Sequence, residues 1–182
     1  MKKIVFYGSG NISQAIIAGL ISAGFKKNLI EFVDRNDTNS RKTKKLGAKK
    51  IKLENIDPKS IICLSVKPKD AIHACNEIYA AIKKPKIVSL VAGIKSKKYL
   101  SSTKDIELIR AMPNTSSKFN KGITAIFNCN ANKTTFNQVT SIFKKVGTTI
   151  TITNENKIDD FTGLVGSGPA YFFYLLKVYE KR

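Results

Sequence analysis

A four-residue apolar run, Ile4-Val5-Phe6-Tyr7, stops at Gly8-Ser9-Gly10, and the hydrophobic period then changes at once. Ile12, Ala15, Ile16, Gly19, Leu20 and Ala23 recur at helical spacing on one face, and Gly24 closes the stretch as a C′ residue does. Strand, glycine turn and helix in that order open a parallel α/β sheet, because parallel strands need a long crossover and a helix is the usual one. The alternation continues along the chain. Strands are expected at 29–33, 60–66, 86–91, 107–112, 122–128 and 148–153, with a short edge or buried strand at 49–53. Helices are expected at 38–46, 70–83 and 135–145, and Tyr99 falls in a short one. The 60–66 run is apolar at both alternating positions, as a strand covered on both faces should be. The fold class is therefore α/β, with a mainly parallel sheet, helices on both faces and right-handed crossovers.

Composition narrows the class further. A chain of 182 residues with 42% apolar content can bury a sizeable core in one domain, or in one domain plus the start of a second. It contains no 18-residue apolar run, and residues 4–7 are too short for a signal-peptide core, so no membrane association is expected. Cys63, Cys75 and Cys129 are odd in number and form no CxxC pair. They indicate neither a disulfide framework nor a metal site, and a cytoplasmic location is the simplest compartment. The formal charge of +19 fits a polyanion binder. The basic residues are spread along the chain, however, and the densest run, residues 41–52, reads better as solvated surface than as a nucleic-acid site.

Near residue 154 the composition shifts. Asn154-Glu155-Asn156 is polar, 157–164 is helix-like, and Gly166-Ser167-Gly168-Pro169 leads into Ala170–Tyr179, which is apolar almost all round. The proline suits the first turn of a helix, and a helix of this kind is buried on several sides or lies in an interface. The expected division is 1–154 as a dinucleotide-binding domain and 155–182 as the beginning of a helical one. The last helix needs a cover from further chain or from a partner.

The glycine turn has a mechanism. Gly8 permits the tight bend, Gly10 lets a pyrophosphate approach the backbone, and the amides of Gly10, Asn11 and Ile12 at a helix N-terminus favour its charge. Ser13 stands where a third small residue lets helix and strand pack closely. At the end of the second strand, Asp34 could accept a ribose 2′-hydroxyl, as for NAD(H), and Arg35 could pair with a 2′-phosphate, as for NADP(H). Arg41, Lys42 and Lys44 tilt the balance to NADP(H), with NAD(H) possible. Alternatively, Asp34 and Asp37 simply make a turn and cap the helix.

Five segments then occur in order: Gly8-Ser9-Gly10-Asn11-Ile12, Ser65-Val66-Lys67-Pro68, Val91-Ala92-Gly93-Ile94, Arg110-Ala111-Met112-Pro113-Asn114-Thr115 and Gly166-Ser167-Gly168-Pro169-Ala170-Tyr171. With them the sequence resembles the pyrroline-5-carboxylate reductases over essentially its whole length. The resemblance implies a Rossmann-like domain followed by the start of an all-helical dimerisation domain. It implies reduction of 1-pyrroline-5-carboxylate to L-proline, the last step of proline biosynthesis, and a homodimer or higher homo-oligomer built through C-terminal helices. It places Tyr7 to Ile12 at the pyrophosphate, Arg35 and Asn55 at the adenosine end, and Ser65, Val66, Lys67, Pro68, Ala92 and Gly93 on the nicotinamide side. Met112, Asn114 and Thr115 would approach nicotinamide and substrate. Lys67, Asn114 and Thr115 are thus the candidate catalytic residues, and His73 is read as structural.

The sequence departs from the family pattern at Ser116, where proline is usual, and at Val165, where serine is usual. Family members also continue past the last helix, through a Ser-Pro-Gly-Gly-x-Thr type loop that binds substrate. A C-terminally truncated chain, with a dinucleotide site but an incomplete substrate site, is therefore expected. Two other readings stay open: a nucleotide-binding paralogue without activity, and a basic polyanion-binding module. Reductases that join NADPH to a deazaflavin share the loop and strand pattern, but Gly166 to Tyr171 is not expected there.

Overall fold

The computed structural model describes residues 2–180. In chain order the elements are β1 (Ile4–Tyr7), α1 (Asn11–Ser22), β2 (Ile30–Val33), α2 (Asp37–Leu46), β3 (Lys49–Lys50), β4 (Ile61–Leu64), α3 (Ala71–Ala81), β5 (Lys86–Ser89), α4 (Ser96–Leu100), β6 (Glu107–Met112), β7 (Gly122–Asn128), α5 (Lys133–Lys144), β8 (Gly147–Ile152), α6 (Lys157–Phe161) and α7 (Gly168–Tyr179). All eight strands join one sheet in the order β3-β2-β1-β4-β5-β6-β7-β8. Neighbours run parallel except β6 and β7, so β7 and β8 form a parallel pair directed against the rest. The first six strands have the Rossmann order 3-2-1-4-5-6. None of the described helices is long and apolar enough to cross a membrane.

Two-residue periodicity sorts the strand side chains into two cores. Ile4 and Phe6 of β1 face Ile16, Ile17 and Leu20 of α1, in a cluster that also takes in Val139 and Phe143 of α5. Val5 and Tyr7 point the other way, into a cluster with Ala74, Cys75 and Ile78 of α3 and Tyr99 of α4. Burying a side chain such as Phe6 or Ile16 completely is worth about 1.5–3 kcal/mol, and both are fully covered. Tyr99 is also fully buried, and its hydroxyl shares a 2.9 Å hydrogen bond with Ser89 Oγ.

The boundaries differ from the sequence reading in instructive ways. The second helix begins at Asp37 because the Asn36 side chain caps it, accepting from Asn39 N at 2.9 Å. The strand expected at 49–53 shrinks to two residues. After Ile51 N donates to Phe32 O, the chain turns through a 3₁₀ segment, Leu53–Asn55, and Ile51 and Leu53 pack with the α3 core. The 157–164 stretch is α6 followed by a π-type turn, Thr162–Ser167, that runs directly into α7. Pro169 is thus the second residue of α7, in its first turn as expected, although the helix follows α6 without a break. Along α7, Tyr171, Phe172, Phe173, Tyr174, Leu175 and Leu176 are between 42% and 75% exposed.

One charged residue lies inside a central strand. Arg110 on β6 is 1% exposed, and its Nη1 donates to Glu155 Oε1 at 2.9 Å. The same carboxylate accepts from Ser96 N (2.7 Å) and Ser96 Oγ (2.8 Å) at the start of α4. Glu155 therefore fastens β6, α4 and the approach to α6 to one another. Burial alone would raise its carboxyl, but the bonds from Ser96 and Arg110 outweigh that and hold it below the ordinary 4.5. Removing it leaves the buried Arg110 guanidinium with Asp159 Oδ1, 3.9 Å from Nη2, as its remaining carboxylate, so Glu155→Gln should cost about 3 kcal/mol in urea unfolding at neutral pH. A carboxyl held low when folded contributes stability above its unfolded value and loses it as pH falls through the folded one. The gap between wild type and variant should therefore narrow once the pH drops below about 4.5; a gap that stays constant to pH 3 would contradict the assignment.

Candidate functional site at the carboxyl edge of the sheet

The register brings four strand ends to one edge. Tyr7 lies beside Leu64, Leu64 beside Ser89, and Ser89 beside Arg110. The residues that follow each strand therefore emerge together: Gly8 after β1, Ser65 to Pro68 after β4, Leu90 to Gly93 after β5, and Pro113 to Thr115 after β6. Ligands of open parallel sheets bind outside this edge, where the strand order reverses. Here that point is between β1 and β4.

Gly8 is fixed by space as well as by conformation. Its φ is +94°, and a Cβ there would stand 2.6 Å from the carbonyl oxygen of Ser65. Its N–H donates to Val33 O at 2.8 Å, and its carbonyl accepts from Ser13 Oγ (2.8 Å) and Ser65 Oγ (2.7 Å). Ser13 thus keeps the close helix–strand contact expected of a third glycine and adds a hydrogen bond. Gly10 is different. It caps α1 in extended conformation, and nothing lies within 4 Å of where its Cβ would be. The opening above it is backbone-lined, next to the free N–H groups of the first turn of α1. Asn11 is exposed there and Ile12 half-buried.

Asp34 is committed to the loop. One oxygen accepts from Ser9 N and Ser9 Oγ, both at 2.6 Å, and the other from Asn36 N at 2.7 Å. It therefore makes the turn and pins the glycine loop to the end of β2, the alternative weighed against a ribose contact. Beside it a hollow of about 190 Å³ opens between the ends of β1 and β2 and the helix α3, with Arg35 and Val66 at its walls. Glu77 of α3 accepts from the Tyr7 hydroxyl (2.6 Å) and pairs with Arg35, while His73 Nε2 stands 3.5 Å away. Burial, then the Glu77 carboxylate, pushes the Tyr7 hydroxyl up to about 12. The Tyr7 hydrogen bond, with help from Arg35, holds Glu77 below the usual carboxylate range.

On the other flank, Ser65 and Val66 are half-buried, Lys67 is exposed in extended conformation, and Pro68 begins the 3₁₀ turn into α3. Ala92 packs against the Met112 cluster. Gly93 is exposed at φ +72° with open space around it. Asn114 is partly structural, since its Oδ1 accepts from Ile123 N at 3.1 Å and ties the end of β6 to β7. Thr115 is exposed at the start of a 3₁₀ segment. Asn55 does not share this edge hollow. It lines a separate one with Lys3, Glu31, Lys49 and Lys50, beside the outer strand β3.

Sequence reasoning passed over Glu77 and the Arg110–Glu155 pair. Asp70, His73 and Glu77 stand at i, i+3 and i+7, so a polar stripe along α3 and its N-cap was there to be read. His73, read as structural, is 74% exposed at its side chain, on the rim of the hollow. Arg110 is a cation flanked by the apolar residues Leu108, Ile109, Ala111 and Met112 of β6, a pattern that asks for a buried partner.

Comparison with known proteins gives the following. Residues 3–93 match the family model described as NADP oxidoreductase coenzyme F420-dependent. Pyrroline-5-carboxylate reductase of Pasteurella multocida is 30% identical over 99% of this chain and 69% of its own length. A pyrroline-5-carboxylate reductase structure from Coxiella burnetii superposes with a TM-score of 0.86 at 29% identity, covering 97% of this chain and 68% of that one. The Plasmodium falciparum pyrroline carboxylate reductase, solved with NADP bound, gives 0.83 at 22% identity over 98% and 67%. The chain spans 63–69% of the length of the first curated relatives.

The two loop glycines should separate in experiment. Gly8→Ala meets both a positive φ and the Ser65 carbonyl, and should lower unfolding free energy by about 2 kcal/mol or more. Gly10→Ala should leave the thermal transition unchanged yet weaken nicotinamide-dinucleotide binding at least about tenfold, by crowding the backbone opening. Equal destabilisation of the two variants in thermal melts would show that the Gly10 opening is not free space.

Proposed function

The chain belongs to the pyrroline-5-carboxylate reductase family, and we propose that it reduces 1-pyrroline-5-carboxylate to L-proline with NADP(H) favoured over NAD(H). The observation that carries this reading is the backbone-lined opening at Gly10, on the edge where residues 65–68, 91–93 and 112–115 also emerge. The residues fit a dinucleotide. The amides of Gly10 to Ile12 would take the pyrophosphate, and the Arg35 hollow the adenosine end. Ser65 to Pro68 with Ala92 and Gly93 would border the nicotinamide.

When bound, the nicotinamide supplies the hydride, and the protein supplies position and field. A ring imine accepts hydride better when its nitrogen is protonated, so the site needs donors more than a nucleophile. The free donors at this edge are the Asn114 carboxamide NH₂, the Thr115 hydroxyl and the Lys67 ammonium. Lys67 is placed to attract the substrate carboxylate. Asp34 serves by holding Ser9 and the loop in shape, and NADP(H) follows from Arg35 being the group in the hollow that can meet a phosphate. Cys63, Cys75 and Cys129 are free thiols, which suits a cytoplasmic location.

We further assign residues 1–154 to the cofactor domain and residues from 155 onward to a helical one that supports a homo-oligomer. The supporting feature is α7, whose apolar side chains from Tyr171 to Tyr179 are exposed. No nucleic-acid role is assigned, in keeping with basic residues that are spread along the sequence.

The relatives are longer than the stretch matched here, so nucleotide binding is the first measurement and turnover the second. Fluorescence titration should show NADPH bound more tightly than NADH, and addition of 1-pyrroline-5-carboxylate should consume NADPH with proline appearing in equal amount. NADPH binding without proline formation would favour a nucleotide-binding paralogue; no binding of either coenzyme would overturn the assignment of the edge. Phe172→Lys with Leu176→Lys should abolish concentration-dependent association in sedimentation and leave the thermal transition in place. Loss of folding in that variant would mean α7 packs within its own chain.

A further inference from the structure

Glu77 belongs to no group assigned above, yet it meets three other side chains of the small hollow. Its Oε2 accepts from the Tyr7 hydroxyl at 2.6 Å, and its Oε1 carries Arg35 Nη2 and faces His73 Nε2 at 3.5 Å. The partners differ in freedom. Tyr7 ends the central strand β1 and is 8% exposed, so the bond it donates anchors Glu77 to the sheet. The Arg35 side chain is 80% exposed and can leave by changing rotamer. Arg35 is therefore held by a carboxylate that cannot follow it outward.

Resting on the reading that this hollow takes the adenosine end, we propose that Glu77 is a specificity-determining residue that weakens the preference for a 2′-phosphate over a 2′-hydroxyl. A 2′-phosphate must take the Arg35 guanidinium from Glu77 and then sit near a fixed negative charge, which opposes it on both counts. A nucleotide with a free 2′-hydroxyl calls on neither group. The strength with which Arg35 discriminates between the two is then set by α3, an element that carries none of the glycine-loop signature.

The test is calorimetric titration of the full chain with 2′,5′-ADP and with 5′-ADP at fixed moderate salt. Glu77→Gln should tighten 2′,5′-ADP about 3- to 10-fold, in keeping with release of a partly exposed ion pair, and leave 5′-ADP within about twofold. Most of that gain should vanish when Arg35→Ala is added, because the two side chains act through one contact. Glutamine keeps an acceptor for the Tyr7 hydroxyl; should that variant fail to fold, Glu77→Ala must give the same ordering. Equal tightening of both nucleotides, no change, or a gain that survives Arg35→Ala in full would overturn the role of Glu77 while leaving the hollow as a nucleotide site. Failure of the wild-type chain to bind either nucleotide would remove the site and this inference together.

Discussion

The carbonyl of Gly8 is the point on which the rest of this molecule depends. Hydroxyls from α1 and from the end of β4 both donate to it, through Ser13 and Ser65, while the Gly8 N–H is bonded to the end of β2. Three segments far apart in sequence are thereby drawn to within hydrogen-bond reach of one peptide unit. Only glycine fits, because the Ser65 carbonyl occupies the place of a side chain. The opening at Gly10 follows from this. With Gly8 fully used, the chain must rise over the edge before α1 begins, and the first free amides of the helix end up facing outward. Asp34 completes the clamp from the second strand.

Much of this architecture is legible in the sequence, for local reasons. Strand and helix periods alternate cleanly, glycines punctuate them, and the expected elements all appear within a few residues of their place. The errors have local physical causes too. The 49–53 strand was cut short because Ile51 and Leu53 find more burial under α3 than along a sheet edge. The separate last helix became a continuous one through a π-type turn, a geometry that no hydrophobic period announces. At the site, the glycine loop and the segments after β4, β5 and β6 are adjacent as the motifs implied. The paired groups were not legible. That Asp34 would hold Ser9, or that Arg35 would meet Glu77 across 42 residues, depends on tertiary approach rather than on pattern.

The family model covers only residues 3–93, whereas the reductase relatives match nearly the whole chain. The boundary has a structural sense. Up to β5 the molecule is a generic dinucleotide-binding half. Beyond it come the Met-Pro-Asn-Thr segment, the reversed pair β7–β8 and the Glu155 contact. Glu155 reaches from the approach to α6 back to Ser96 and Arg110, so the helical segment and the loops after β5 and β6 share one partly buried carboxylate. Displacement of one would be felt by the others through that carboxylate, since the guanidinium is too deeply buried to find water instead.

The π-type turn between α6 and α7 sets the azimuth of everything after it. Each residue of an α-helix advances the side chains by about 100°, and a widened turn is in effect one added residue within an otherwise regular helix. The Thr162 hydroxyl, donating to Ile158 O at 2.7 Å, occupies a carbonyl at the entry to that turn. Losing a single residue between 162 and 167 would leave the composition of α7 untouched but turn every one of its side chains by about 100° round the axis. Which of its apolar side chains faces which way is therefore encoded upstream, in the phase of one irregular turn.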